Sequence, residues 1–249
     1  MIDYIVADIK RIMKKNSFLY VVIGYLLLFF LIYFIKSGPT YQSQDIISDI
    51  ESLNGWFPLF CGLVLFLAVY YDDFKAKTMQ IAIGFGISRN KVVLSKIISI
   101  FILVGLMMAV ICLFLIGIPQ VFGSHFTNSQ IKQIILSGVT EWIRTVGMVC
   151  LSIPLIYYTQ NVINGVLIYI LLASRFVLLI GSSILEREFI RKIFGDLSQY
   201  LLTFNVYSLK TQIIRSEEIS LVKSFILILY ILIPILLSIA AFRNKELEF

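Results

Sequence analysis

From Ser17 to Ile35 the chain runs 19 residues without a charge, and nearly all of them are apolar. Comparable runs follow at Ser52–Tyr71 (20 residues) and Ile97–Ile118 (22 residues), between Arg144 and Arg175 (30 residues), and at Ser224–Phe242 (19 residues). A helix advances about 1.5 Å per residue, so about 20 apolar residues span a hydrocarbon layer about 30 Å thick. Repetition of that unit along 249 residues is the dominant constraint on the fold. Composition agrees: 59% of residues are apolar and 14% charged, where soluble domains run near 45–50% and about 25%. That balance excludes a water-soluble globular enzyme, a disordered chain and a nucleic-acid-binding domain. The expected class is all-α, a polytopic membrane protein forming one transmembrane domain over 1–249.

The fourth run is too long for one crossing, since 30 residues would make a helix of roughly 45 Å. Thr159-Gln160-Asn161 is its polar centre, so a hairpin is expected there. The spans are then about 17–35, 52–71, 97–118, 138–158, 162–181 and 224–242, six in all. Lys10, Arg11, Lys14 and Lys15 precede the first span, whereas Lys36 alone follows it before Asp45, Asp49 and Glu51. Basic flanks mark the cytoplasmic side, so the N-terminus is expected inside. Lys75, Lys77, Arg89, Lys91 and Lys96 place the second connection inside, and Arg243 and Lys245 do the same for the C-terminus. The 182–222 connection is then outside, although it carries Arg187, Arg191, Lys192, Lys210 and Arg215 against Glu186, Glu188, Asp196, Glu217 and Glu218. The net charge of +6 is read as orientation and headgroup contact, with no nucleic-acid partner.

Ile2, Ile5, Val6, Ile9, Ile12 and Met13 recur at helical spacing among Asp3, Lys10, Arg11 and Lys14, which predicts an amphipathic interfacial helix over 1–15 lying on the inner leaflet. The chain carries no motif for chemistry of its own. Cys61, Cys112 and Cys150 sit inside apolar runs and read as core. His125 is the single histidine and has no acidic neighbour, so no metal site is expected. There is no phosphate-binding loop: Gly84 is followed five residues later by Arg89, without the second Gly or the Lys. The chain is read as no enzyme, with no cofactor bound to it.

The connection at 72–96 is the informative segment. Phe74, Thr78, Ile81 and Phe85 are spaced as one stripe of a short helix. Gly84 and Gly86 can end that helix, and Ser88 suits the N-cap of the next, which runs through Lys96 into the third span. The order Asp73, Lys75, Thr78, Gly86-Ile87-Ser88-Arg89 and Lys96 resembles the first cytoplasmic loop of permease subunits of the type-2 family of ATP-binding cassette (ABC) exporters. Asp73 stands where Glu is commoner there, and Ala76 or Lys77 where a Gly often precedes the Thr. The resemblance implies a coupling helix that docks in a cleft of a separately encoded cytoplasmic ATPase, present in two copies and supplying ATP and Mg. Asp73, Phe74, Lys75, Thr78, Ile81, Phe85, Gly86, Ser88, Arg89 and Lys96 would form the coupling site. It also implies a second permease copy or paralogue, and outer-leaflet helices between the fifth and sixth spans, where Ile190, Ile193, Phe194, Leu197 and Leu201 mark an amphipathic stripe.

Within the spans, Glu141 and Arg144 share a helix face, and Arg175 lies at similar depth on the next helix. Intramembrane charges are costly; a Glu141 pair with Arg144 or Arg175, snorkelling to the outer surface, and a part in substrate passage are the alternatives. The size, short loops and Ile-, Lys-, Phe- and Tyr-rich composition resemble Gram-positive permeases of bacteriocin immunity and cytolytic-peptide export. A bacterial plasma-membrane exporter of amphipathic or hydrophobic substrates, antimicrobial peptides above all, is the function expected. An accessory membrane scaffold without transport is the alternative. A secondary transporter is disfavoured by the lack of an inverted repeat and of a mid-membrane carboxylate.

Overall fold

The computed structural model describes residues 1–38, 40–76, 78–215 and 218–243, so Lys77, Glu217 and Lys245 lie outside the described residues. Regular structure among those residues is all helical, without a strand. In chain order the helices are α1 (Ile2–Met13), α2 (Asn16–Lys36), α3 (Ser43–Lys75), α4 (Thr78–Gly84), α5 (Arg89–Val121), α6 (Asn128–Thr159), α7 (Val162–Ala173), α8 (Phe176–Leu185), α9 (Glu188–Phe194), α10 (Leu202–Ile214) and α11 (Leu221–Arg243). By length and composition α2, α3, α5, α6 and α11 can each cross a membrane, and the bent pair α7–α8 makes a sixth candidate.

The hub is α6. It packs against α3, α5, α7, α10 and α11, and 67% of its apolar window is buried, against 17% in α2 and in α11. The apolar sides of α2 and α11 therefore face outward, as a surface solvated by lipid requires. Local chemistry sets the ends of α6. Thr127 accepts a hydrogen bond from the Gln130 amide (3.4 Å) while Gln130 accepts from the Thr127 amide (2.9 Å), which is a reciprocal cap. At the other end Gln160 adopts a left-handed conformation with φ of 53°, and Asn161 accepts from the Ile163 amide (2.9 Å) to start α7. The hairpin therefore turns at Thr159-Gln160-Asn161.

Several elements differ from the sequence reading. Residues 43–51, which read as a connection rich in Asp45, Asp49 and Glu51, instead extend the second span into one continuous helical segment of 33 residues, about 50 Å long. Ile46, Ile47, Ile50 and Leu53 are buried along it, so this segment is amphipathic, with its apolar face packed on the bundle. It also carries π-helical stretches at Pro58–Gly62 and Leu67–Tyr71. The first is held by the Tyr169 hydroxyl, which donates to the Pro58 carbonyl (2.6 Å). Gly62 lies directly under Tyr169 and Thr145; any side chain there would displace them.

The span expected at 162–181 is broken. Ser174 ends α7, Arg175 takes φ of 64°, and α8 leaves at 61°. No residue of α8 is buried. The stripe Ile190, Ile193, Phe194, Leu197 and Leu201 is likewise not one helix, because Gly195 at φ of 73° ends α9. A short 3-10 turn at Ser198–Tyr200 follows before α10. Finally, α1 is not simply laid on a surface. Ile5, Asp8 and Ile12 are buried against the bundle.

Candidate functional site

Two charge clusters lie inside this bundle. The first sits where α1, the last turn of α3 and the first turns of α5 meet. On α1, Ile5, Asp8 and Ile12 share the inward face, and on α5 Lys96 falls among buried Val92, Val93, Ile97 and Ile100. Helical spacing thus drives an acid and a base into the same interior. The Lys96 ammonium is 1% exposed and pairs with Asp8 (3.0 Å) and with Asp73 on α3. Arg11 bridges the same two carboxylates at 2.7 Å and 2.5 Å. Lys15 pairs with Asp72 beside them. Two acids facing two bases give a locally neutral interior, the condition under which buried charge is tolerated. A cleft of about 150 Å³ opens against Tyr4, Asp8, Arg11, Asp73, Thr78 and Lys96. Burial pushes the Tyr4 phenol above its ordinary pKa against the opposing pull of Lys96, whose ammonium stands 5.1 Å from the ring centroid.

From this cluster hangs α4. The helix expected to run continuously from Phe74 to Phe85 is interrupted after Lys75, and that break divides the stripe. Phe74 stays on α3 and packs against Tyr157 (6.3 Å between centroids). Thr78 begins α4 and donates to the Asp73 carbonyl (3.4 Å). Within α4, Met79 and Ala82 turn inward, so Ile81 (55% exposed) and Phe85 (86% exposed) turn outward. Gly86 at φ of 88° forms the corner, a conformation that costs a side chain about 1 kcal/mol or more. Ser88 occupies the N-cap position of α5, but its hydroxyl makes no cap bond. Lys75 and Ser88 are exposed. Arg89 reaches across to the end of α11, donating to the carbonyls of Phe242 (3.0 Å) and Arg243 (3.1 Å). A cation there satisfies carbonyls that the helix leaves orphaned.

Of the ten loop residues singled out in the sequence, the structure thus brings Asp73 and Lys96 into one buried group with half-buried Thr78 at its edge, and Gly86 makes the corner. Ile81, Phe85, Lys75 and Ser88 are left outward, and Phe74 and Arg89 are turned onto neighbouring helices. Asp8 and Arg11, which complete the group, were missed. Their signal was present: an Asp three residues after Ile5 and four before Ile12 sits on the apolar face of its helix, where an unpaired carboxylate is not stable.

The second cluster lies deep in the bundle. Arg144 is 0% exposed; it does not snorkel. It pairs with Glu141 (2.8 Å) and donates to the Tyr207 hydroxyl (2.5 Å) and the Gly55 carbonyl (2.7 Å). Tyr207 in turn donates to Glu141 (2.7 Å). Arg175, at the α7–α8 bend, also aims at the Gly55 carbonyl (3.5 Å). Nearby, Lys210 and Gln133 donate to Glu51 at 2.6 Å and 3.1 Å. The cluster therefore stitches α3, α6, α10 and the α7–α8 bend. Tyr207, Lys210 and Glu51 were not legible as members, since they lie outside the spans and 63 to 159 residues from their partners.

Among the described residues no group of three metal-ligating side chains occurs, and Cys61, Cys112 and Cys150 are free thiols. His125 sits in the α5–α6 loop, its carbonyl accepting from Ser43 (3.1 Å). No family model, no curated protein and no solved structure matches the chain.

Proposed function

We propose that this chain is the membrane permease subunit of an ATP-driven exporter of the type-2 ABC kind. In this reading it pairs with a second copy or a paralogue in a bacterial plasma membrane, with both termini cytoplasmic. A separate cytoplasmic ATPase, in two copies with ATP and Mg, drives it. The substrates are amphipathic or hydrophobic, antimicrobial or cytolytic peptides being the class proposed. The observation that carries the reading is α4: a seven-residue helix that, with Phe85 just after it, turns two large apolar side chains away from the protein, set between the ends of two long helices that Asp73 and Lys96 pair together. An exposed Phe85 and Ile81 have the form of anchors for a partner's groove. The rigid attachment through Asp73 and Lys96 supports a push on α4 being passed to α3 and α5, since packed helices move as units. The residues of this site contribute docking and leverage, and all bond-making belongs to the ATPase.

The test is co-purification with a Walker-type ATPase lacking membrane spans and encoded beside this chain, followed by ATP hydrolysis and resistance to amphipathic peptides. Ile81→Asp and Phe85→Asp are the informative variants, because both positions are exposed and tolerate charge without disturbing the bundle. Phe74→Asp is not, since it would break the contact with Tyr157. Loss of ATPase association and of resistance in both, at normal membrane abundance, is the expected result. Association and resistance that survive both changes leave α4 without a coupling role; association without any export activity favours the scaffold.

A further inference from the structure

The α1 helix has two apolar faces; the protein buries one and, of the other, covers only part of Ile9. At about 100° per residue, Ile5, Asp8 and Ile12 make the face against the bundle. Ile2, Val6, Ile9 and Met13 make a second stripe roughly a quarter-turn away. Ile2 is 73% exposed, Met13 52% and Val6 42%. Lys10 and Lys14, both exposed, line the far edge of that stripe, while Arg11 and Lys15 are already taken by Asp8, Asp73 and Asp72. The next helix, α2, follows α1 after two residues and opens with Leu19, Tyr20 and Ile23 exposed. An apolar stripe edged by lysines and leading directly into a membrane-type helix fits the headgroup boundary of a bilayer, with the ammonium groups reaching anionic phosphates.

We propose that α1 is a sensor of anionic lipid. Its outer stripe docks in the leaflet at the α4 end of the molecule, with Lys10 and Lys14 on anionic headgroups. Its inner face, ion-paired through Asp8 and Arg11 to Asp73 and Lys96, passes the docked state to the segment that carries α4. Lipid charge then sets how firmly α4 is held. This requires only that the chain span a membrane and is independent of what, if anything, binds α4.

The test uses the full chain with its three cysteines changed to alanine and Val6→Cys carrying an environment-sensitive fluorophore. It is reconstituted in vesicles of phosphatidylcholine alone or with one third phosphatidylglycerol, each also made with brominated chains as quencher. Each lysine near an anionic surface contributes enough that the pair shifts the docked population roughly thirtyfold. Strong bromolipid quenching in the anionic vesicles is expected. It should weaken in phosphatidylcholine, at high salt, and in the Lys10→Gln, Lys14→Gln variant, whose surface changes leave thermal stability alone. A second probe at Phe85→Cys should be more mobile in phosphatidylcholine than in anionic vesicles, and Asp73→Asn should abolish that difference. Quenching equal in both lipids overturns the role of charge. A Val6→Cys probe that stays in water in both lipids overturns the docking and leaves the stripe to a protein partner. A Phe85→Cys probe indifferent to lipid overturns the transmission.

Discussion

Replacing Lys96 by methionine should release α1 from the bundle, and the structure sets the scale. The Lys96 ammonium is 1% exposed and faces Asp8 and Asp73, whose side chains are 4% and 2% exposed. Without it, Arg11 alone, itself 34% exposed, must neutralise both carboxylates. Breaking a buried pair from one side costs about 3–5 kcal/mol because a charge is left uncompensated. The adjoining cleft of about 150 Å³ has room for about five waters at roughly 30 Å³ each, which partly hydrate the orphaned carboxylates. The lower bound, about 3 kcal/mol, is therefore expected, equivalent to roughly a hundredfold rise in the detached population. Ile12 reports it: the side chain is 0% exposed and lies against the bundle. In a cysteine-free background carrying Ile12→Cys, a water-soluble maleimide should react about a hundredfold faster in the Lys96→Met protein. Adding Asp73→Asn should recover much of the protection, since removing both partners removes the orphan. An acceleration of no more than about fivefold, the range of a solvent-exposed pair, would refute the claim that these charges are desolvated and clamp α1.

Three further outcomes follow from the geometry. Arg144→Met should lower unfolding stability by about 3–5 kcal/mol, whereas Glu141→Leu with Arg144→Met should cost distinctly less; chemical denaturation in detergent distinguishes them, and equal losses would contradict a paired cluster. Tyr169→Phe removes one of two donors to the Pro58 carbonyl, the Leu63 amide remaining, and should cost about 0.5–1.5 kcal/mol, read as a lowered melting temperature with unchanged spectroscopic helix content. Gly62→Ala should be worse than an ordinary helical Gly→Ala, because the added carbon meets Tyr169 and Thr145 Cγ2; a stability gain, the usual sign for Gly→Ala in a helix, would show that α3 does not approach α6 and α7 so closely.

What could be read from the chain alone was whatever depends on local periodicity and length. Uncharged runs set the helices, because a peptide in hydrocarbon must satisfy its own hydrogen bonds. The polar break at Thr159-Gln160-Asn161 set the hairpin, because length forbids a single crossing. The short helix ends at Gly84 and the chain turns at Gly86 before Ser88, because glycine at 86 accepts the left-handed turn. The pairing of Glu141 with Arg144 was visible as helical spacing, although its burial was not.

Everything that needed two distant segments stayed hidden. Residues 43–51 read as a connection because three acids outweighed Ile46, Ile47 and Ile50 in composition, yet burial of those isoleucines in the core keeps the segment helical. The bend at Arg175 has no glycine or proline to announce it; the turn accompanies the reach of the guanidinium toward the Gly55 carbonyl, 120 residues away. Asp73 and Lys96 read as surface charges of a loop, and became interior only because α1 brings Asp8 and Arg11 to them. Local sequence dictates where a helix forms and how it ends, while a buried charge is decided by which partner the folded chain delivers, since its energy depends on a counter-charge that composition cannot locate.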